Sequence, residues 1–165
     1  MTPLFKKLNF KNQPIVLSMH HPESFLPELN AMRAFTSVVD EIKEVKSISF
    51  SIVFVTKPAD LDKAAMQIVK KAEEDAVLWF CYPKGTSKKY KCDFNRDTGW
   101  EKLGELGYEP VRAVAIDEDW SALRFRKAIH IKTMTRSFAM TEEGKKKVAV
   151  GRKKVKGRTQ LSENQ

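Results

Sequence analysis

The stretch that decides the fold is AVLWFCYPKGTSKKYKCDFNRDTGWEKLGELGYEPVRAVAIDEDWSALRFR, residues 76–126. It begins with an unbroken apolar run at residues 77–82, which is typical of a central strand covered on both faces. A basic loop follows at residues 83–91, and two later strands meet at the acidic turn 117–119. Because α/β sheets bind ligands outside the carboxyl ends of their strands, the basic loop is a candidate ligand site.

Strands and helices alternate along the rest of the chain. Apolar runs and alternation predict strands at residues 15–19, 45–55, 77–82, 111–116 and 121–127. Helical spacing predicts a long amphipathic helix over residues 24–42, a second helix from Pro58, and a third at about residues 95–106 that ends before Gly107. These elements predict an α/β fold with a mainly parallel sheet of about five strands, flanked by helices and completed by a C-terminal antiparallel hairpin.

Length and charge predict one domain followed by a tail. The chain has 165 residues, of which 42% are hydrophobic, and this suits a single α/β domain, which we place at residues 1–134. Residues 1–126 carry a net charge of +1, whereas residues 127–165 carry +8. Since the end of the chain has many cations and no apolar face, we expect a basic, disordered tail at residues 135–165.

The location of the protein follows from what the sequence does not contain. The N-terminus lacks the apolar stretch of a secretory signal, and no apolar run approaches the roughly 20 residues of a membrane helix. We therefore expect a cytoplasmic protein without membrane contact. In that compartment the two cysteines are expected to be free thiols. Cys81 would be a buried small hydrophobe, whereas Cys92, close to Lys89 and Lys91, would have a lowered pKa and be the better redox candidate.

Three motifs in the deciding stretch resemble those of a known family. They are WxxxPKG at residues 79–85, GYEPVR at residues 107–112 and DWSALRF at residues 119–125. Together they resemble a family of small uncharacterised bacterial proteins that share a domain of unknown function. The resemblance covers about residues 76–126 and implies a bacterial cytosolic origin and a small α/β fold. It implies no catalytic residue, substrate or cofactor.

The basic loop has the groups that an anionic ligand requires. It offers flexible backbone amides, hydroxyls and ammonium groups ahead of a predicted helix. The candidate ligand-binding residues are Lys84, Gly85, Thr86, Ser87, Lys88 and Arg124. The loop lacks the glycine spacing of a P-loop or of a dinucleotide-binding turn, so the alternative of a solvated basic loop stays open.

Candidate metal and catalytic groups are sparse. Asp117 and Asp119 could bind a divalent cation, but pairing with Arg112 and Arg124 is the favoured interpretation. The histidines at positions 20, 21 and 130 form no zinc motif, and none can be joined to a nucleophile from sequence. We therefore predict no metal site and no cofactor, and we assign no catalytic residue.

The tail is the strongest binding signal in the sequence. Clustered cations release counterions when they meet a polyphosphate, so the tail predicts contact with nucleic acid or another acidic partner. The residues proposed for this contact are Lys145, Lys146, Lys147, Arg152, Lys153 and Lys154. The sequence indicates no oligomeric state.

Two functions follow from these observations. The first is a non-catalytic binding or accessory protein that contacts nucleic acid through its tail. The alternative is a small enzyme or ligand-binding domain that takes a phosphorylated or acidic metabolite at the loop of residues 83–91. Because no nucleophile and base can be paired from sequence, the first is the favoured hypothesis.

Overall fold

A six-stranded sheet forms the centre of the molecule in a computed structural model, which describes residues 1–131. The strands are β1 (Ile15–Met19), β2 (Ser37–Val39), β3 (Ile48–Phe54), β4 (Ala72–Pro83), β5 (Tyr108–Ala115) and β6 (Trp120–Lys127). Their order across the sheet is β2-β1-β3-β4-β6-β5. β1 to β4 pair parallel to one another, whereas β6 is antiparallel to both β4 and β5. The predicted α/β class, with a mainly parallel sheet and an antiparallel C-terminal pair, is confirmed.

Helices cover both faces of this sheet. They are α1 (Pro3–Lys7), α2 (Leu26–Met32), α3 (Pro58–Lys71) and α4 (Glu101–Glu105), with short 3-10 turns at Glu23–Phe25, Ile42–Glu44 and Ala128–His130. The sequence interpretation missed α1, although Pro3 stands at its first turn and the Thr2 hydroxyl accepts a hydrogen bond from the Phe5 amide at 3.1 Å. At five residues, α1 is too short for a periodic pattern to predict it.

The helix predicted over residues 24–42 is wrong in its length, because the structure has an α-helix only at Leu26–Met32. The helix ends at Met32, and the chain then turns into β2, which the sequence interpretation did not include. The Thr36 hydroxyl donates to the Gln13 carbonyl at 2.8 Å, and the Ser37 amide donates to the Pro14 carbonyl at 3.1 Å. These contacts begin a parallel pairing of β2 with β1, so tertiary hydrogen bonding overrides the helical spacing. The sheet therefore has six strands instead of about five.

The third predicted helix is shorter than its pattern suggests. It occupies Glu101–Glu105 instead of residues 95–106. The Asn95 carboxamide oxygen accepts hydrogen bonds from the Asp97 and Thr98 amides at 2.8 and 3.1 Å, and this local turn competes with a helix. Gly99, at φ 95°, also interrupts helical geometry. Gly107, at φ 91°, lies just beyond the helix in the left-handed conformation that is typical of a glycine at this position.

β4 divides the core into two layers. Leu78, Phe80 and Tyr82 pack on the face that α3 and α4 cover, while Val77 and Trp79 pack on the face that α1 and α2 cover. This alternation is the consequence of a strand whose successive side chains point to opposite faces. The central position predicted for residues 77–82 is confirmed.

The C-terminal tail lies outside the described residues. The boundary predicted at residue 134, the disorder predicted for residues 135–165 and the six tail residues proposed for nucleic-acid contact all stay predictions. Within residues 1–131, no helix is both long and apolar enough to cross a membrane.

Trp79 joins the N-terminal segment to the sheet. Its side chain is completely buried, and its indole N–H donates to the Leu8 carbonyl at 2.8 Å. A buried carbonyl that loses its donor keeps the cost of its desolvation. Trp79 therefore contributes both packing and a hydrogen bond that holds residues 1–10 against the core.

We expect Trp79→Ala to lower the free energy of unfolding by about 3–5 kcal/mol, because it opens a large cavity in the central strand. Trp79→Phe keeps most of the ring but removes the donor to Leu8, so it should cost about 1–3 kcal/mol. Chemical unfolding measures both values. A loss below about 1 kcal/mol for the alanine variant would contradict the role given to this side chain.

Candidate ligand-binding cleft

The strand order reverses between β1 and β3. From β1 the chain crosses to β2 on one side, and it then returns past β1 to form β3 on the other side. Connections that leave in opposite directions open a crevice at the carboxyl ends of the two strands, which is where open α/β sheets bind ligands. The topology alone therefore predicts a ligand site at the carboxyl ends of β1 and β3.

A cleft of about 740 Å³ lies at this point. Its volume is in the range of small-molecule and cofactor sites. Its walls come from the carboxyl ends of β1 and β3, the segments that follow β1, β2 and β3, helix α3, the basic loop and the start of β6. The lining residues are Met19, His20, Pro22, Asp40, Glu41, Ile42, Lys43, Phe54, Val55, Thr56, Asp60, Lys63, Ala64, Gln67, Tyr90 and Trp120.

The chain leaves β1 through a left-handed turn. His20, which lines the cleft, has φ 58°, a conformation that is uncommon for residues other than glycine, although histidine tolerates it better than most. Dinucleotide-binding folds place a glycine at the corresponding tight turn. A strained residue kept at a cleft is a reason to infer a function for its side chain.

His21 is held beside this turn. Its Nδ1 lies 2.9 Å from the Ser18 hydroxyl. Partial burial lowers the pKa of His21 below its usual value, while the Ser18 contact and the Asp40 carboxylate partly oppose the shift. The imidazole is therefore neutral at pH 7 and can exchange a hydrogen bond with Ser18.

Acidic and basic side chains line the outer part of the cleft. Asp40 and Glu41 follow β2 directly, and the Lys43 ammonium lies 3.3 Å from the Glu41 carboxylate. Asp60 and Lys63 come from the first turns of α3. Since one of the two lysines is paired with a carboxylate of the same wall, the lining does not favour a strongly anionic ligand.

Aromatic rings line the inner part of the cleft. The Trp120 ring meets Phe54 edge to face, with centroids 5.1 Å apart, and meets Tyr90 at 4.9 Å. Trp120 is only 4% exposed, and its indole N–H has no hydrogen-bond acceptor among the described residues. Because a buried donor without an acceptor costs free energy, this N–H is a potential contact for a ligand.

The basic loop packs against the acidic turn. The Ser87 hydroxyl donates to the Asp119 carboxylate at 2.8 Å and accepts from the Lys89 and Tyr90 amides at 3.2 and 3.1 Å. The Lys84 amide donates to the Asp119 carbonyl at 2.8 Å. Ser87 is thus a structural residue that fixes the loop and brings Tyr90 to the cleft.

The other predicted ligand residues are not brought together at the cleft. Lys84, Gly85, Thr86 and Lys88 are not among its lining residues. In the strand register Arg124 is opposite Trp79. This position is four residues along β6 from Trp120, which is opposite Pro83 beside the loop. At about 3.3 Å per residue this separates Arg124 from the loop by about 13 Å along the strand. Binding of a ligand by the loop itself stays a prediction.

The acidic turn is a structural hairpin turn. The Asp117 carboxylate accepts hydrogen bonds from the Asp119 and Trp120 amides, both at 2.8 Å. Asp119 contacts Ser87, so the favoured pairing of both carboxylates with Arg112 and Arg124 is not what the structure shows. Within residues 1–131, no group of three or more His, Cys, Asp or Glu side chains is arranged to hold a metal ion.

The two cysteines differ in part from expectation. Cys81 is completely buried, as predicted, and burial raises the pKa of its thiol well above the usual value. The lowered pKa expected for Cys92 is wrong, because partial burial raises the pKa of that thiol and Asp93 adds to the rise. The protonated thiol is the weaker nucleophile, so the structure does not support Cys92 as a redox site.

Comparison with known proteins identifies similar solved structures. No protein-family model matches the chain, and neither does any curated protein. A protein assigned as a type 11 methyltransferase from Sulfolobus solfataricus has a TM-score of 0.48 and 8% identity, covering 76% of this chain and 89% of that one. N-methyltransferase NodS from Bradyrhizobium japonicum has a TM-score of 0.41 and 14% identity, covering 68% of this chain and 85% of that one. A TehB-like SAM-dependent methyltransferase from Corynebacterium glutamicum has a TM-score of 0.42 and 10% identity, covering 75% of this chain and 85% of that one.

The expectation of a non-catalytic binding or accessory protein is corrected by this comparison, because these similar structures are named as enzymes. Their low similarity gives this chain no substrate and no catalytic residue. The alternative of a small enzyme or ligand-binding domain stays a prediction.

Sequence reasoning missed most of the cleft. Asp40 was assigned to the long helix, and Trp120 was not among the candidate ligand-binding residues. The signal that could have found the acidic wall is the triplet Ser37-Val38-Val39, whose two adjacent valines favour a strand, directly before the paired acids Asp40 and Glu41. An acid after the second strand of an α/β unit is a recognised ribose contact.

We expect the stability of the chain to fall as the pH drops below about 6.5, because the unfolded state then binds a proton that folded His21 takes up only at lower pH. His21→Gln removes this titration while keeping a polar side chain. Between about pH 7.5 and about pH 5.5, the free energy of unfolding should therefore fall more for the parent than for the variant. Urea unfolding at the two pH values measures it, and parallel curves for both proteins would contradict the burial of His21.

Proposed function

We propose that the chain is a small enzyme domain that binds a phosphate-free nucleoside in the cleft between β1 and β3. The observation that carries this proposal is the combination of a carboxylate after β2 with a buried aromatic wall that presents an indole N–H without an acceptor. The carboxylate suits a ribose and the aromatic wall suits a base.

Asp40 occupies the position of a ribose contact. It follows β2, the strand next to β1, and comes about 20 residues after the end of β1. In dinucleotide-binding folds an acid at this spacing accepts hydrogen bonds from the ribose hydroxyls. A carboxylate has two acceptor oxygens, so it can accept from two neighbouring hydroxyl groups at once.

The inner wall suits a heterocyclic base. Phe54 and Trp120 present apolar ring surface, and Met19 adds a thioether that packs well against aromatic rings. A base nitrogen or carbonyl oxygen could accept the hydrogen bond from the Trp120 indole. Such a contact would satisfy a donor that the described residues leave without a partner.

The lining argues against a phosphate in this cleft. No glycine follows β1, and Glu23 lies at the start of the helical segment where a pyrophosphate would otherwise bind. Asp40, Glu41 and Asp60 add negative charge to the walls. A neutral or cationic nucleoside is therefore favoured over the phosphorylated or acidic metabolite expected from sequence.

S-adenosylmethionine is a suitable probe, because it combines a nucleoside with a sulfonium cation and has no phosphate. His20, Asp60 and Lys63 add polar and charged side chains to the same cleft. If the domain is an enzyme that uses this nucleoside, S-adenosylhomocysteine should form when a pool of thiol, amine and phenol acceptors is supplied.

We expect adenosine and S-adenosylmethionine to raise the melting temperature of the chain, with ATP and NAD giving a smaller rise at equal concentration. Asp40→Asn should weaken binding by about tenfold or more, because it removes a charged acceptor of the ribose hydroxyls. Asp62→Asn is the matched control, since Asp62 lies on α3 outside the cleft lining. Calorimetric titration measures the affinities.

Two outcomes would overturn the proposal. The first is that no nucleoside changes the melting temperature. The second is that both aspartate variants bind as the parent does. Stronger binding of ATP than of adenosine would show instead that the site is built for phosphate.

A further inference from the structure

Two arginines face each other on the antiparallel half of the sheet. Arg112 on β5 and Arg124 on β6 are directly opposed in the strand register, so their side chains leave the same face of the sheet. Arg124 is also opposite Trp79 on β4. Like charges in directly opposed positions destabilise a sheet unless something compensates for them.

The guanidinium groups of this pair have unused donors. The Nε atoms of Arg112 and Arg124 are both buried, and neither has a hydrogen-bond acceptor among residues 1–131. The neighbouring Arg126 behaves differently, because it makes a two-point contact with Asp75, with distances of 2.8 and 2.7 Å. The same face thus holds one satisfied arginine and two with buried donors that lack acceptors.

Among the described residues, positive charge exceeds negative charge on this part of the sheet. Two carboxylates, those of Asp75 and of the buried Glu109 opposite Arg126, lie there with three guanidinium groups. Burial, together with the positive charges of Arg126 and Arg112, lowers the pKa of Arg124 to about 10 against the opposing pull of Asp75. This face of the sheet therefore favours the arrival of an additional anion.

We propose that Arg112 and Arg124 form a binding site for a phosphate-type dianion. The guanidinium fork matches the geometry of a phosphate, and a dianion between the two arginines would accept from both Nε atoms and screen their mutual repulsion. The phosphate can be free or belong to a small phosphorylated molecule. The site lies about 13 Å along β6 from Trp120 and does not depend on the nucleoside proposal.

Sodium phosphate should raise the melting temperature of the full chain more than sodium chloride at the same ionic strength. Arg112→Gln and Arg124→Gln should each weaken phosphate binding at least about fivefold, as measured by calorimetric titration. Arg124→Lys should retain part of the affinity, because it keeps the charge but loses the fork. Arg33→Gln, an exposed arginine at the end of α2, is the matched control and should bind phosphate as the parent does.

A second measurement guards against misfolded variants. In phosphate-free buffer, Arg112→Gln should keep or increase the stability of the chain, because it removes repulsion without breaking a contact. Arg126→Gln should decrease it, because it breaks the pair with Asp75. A clear loss of stability in Arg112→Gln would show that the pair is purely structural and would overturn the proposal.

Glycerol 3-phosphate and acetate distinguish the sources of the anion. Tighter binding of glycerol 3-phosphate than of inorganic phosphate would identify the site as one for a phosphorylated molecule, and the reverse order would identify free phosphate. Equal stabilisation by acetate would overturn the assignment to a phosphate-type dianion. So would equal effects of phosphate and chloride on the parent.

Discussion

The double-sided burial of β4 is the constraint on which the rest of the structure depends. β4 runs parallel to β3 and antiparallel to β6, so it joins the parallel half of the sheet to the antiparallel half. Its side chains supply both core layers in alternation, and the Trp79 indole holds the N-terminal segment through the Leu8 carbonyl. The buried part of this strand, residues 76–83, accepts apolar side chains of defined size, because both of its faces are close-packed.

The carboxyl end of β4 also determines the shape of the cleft. Pro83 is opposite Trp120 in the antiparallel pairing, so the basic loop leaves the sheet beside the hairpin turn. Hydrogen bonds from Ser87 and from the Lys84 amide to Asp119 hold the loop there, and Tyr90 then lies against Trp120. The lysines of the loop gave it the composition of an anion site, but its hydroxyl and backbone groups serve to position an aromatic wall.

The predictable parts of the fold are those in which the local pattern and the packing agree. The apolar run of β4 and the alternation in β3 were sufficient to predict these two strands, because each strand buries many side chains. β2 was not predictable in the same way, since it has only three residues and depends on pairing with β1. Asp40 was therefore not predicted as a cleft residue, because its place at the end of β2 can be recognised only when the strand order is known. Arg124 was grouped with the residues of the basic loop, from which it lies about 13 Å along β6, since strand register is not visible in a single sequence.

The two proposed sites differ in the charge of their side chains, and they lie on different parts of the sheet. The cleft has carboxylates at its outer wall, whereas Arg112 and Arg124 lie further along the antiparallel half. Trp120 and Arg124 are about 13 Å apart along β6. A nucleoside in the cleft and a phosphate at the arginines would therefore occupy separate places on the same sheet. A single ligand could use both sites only if its own length spanned the distance between Trp120 and Arg124.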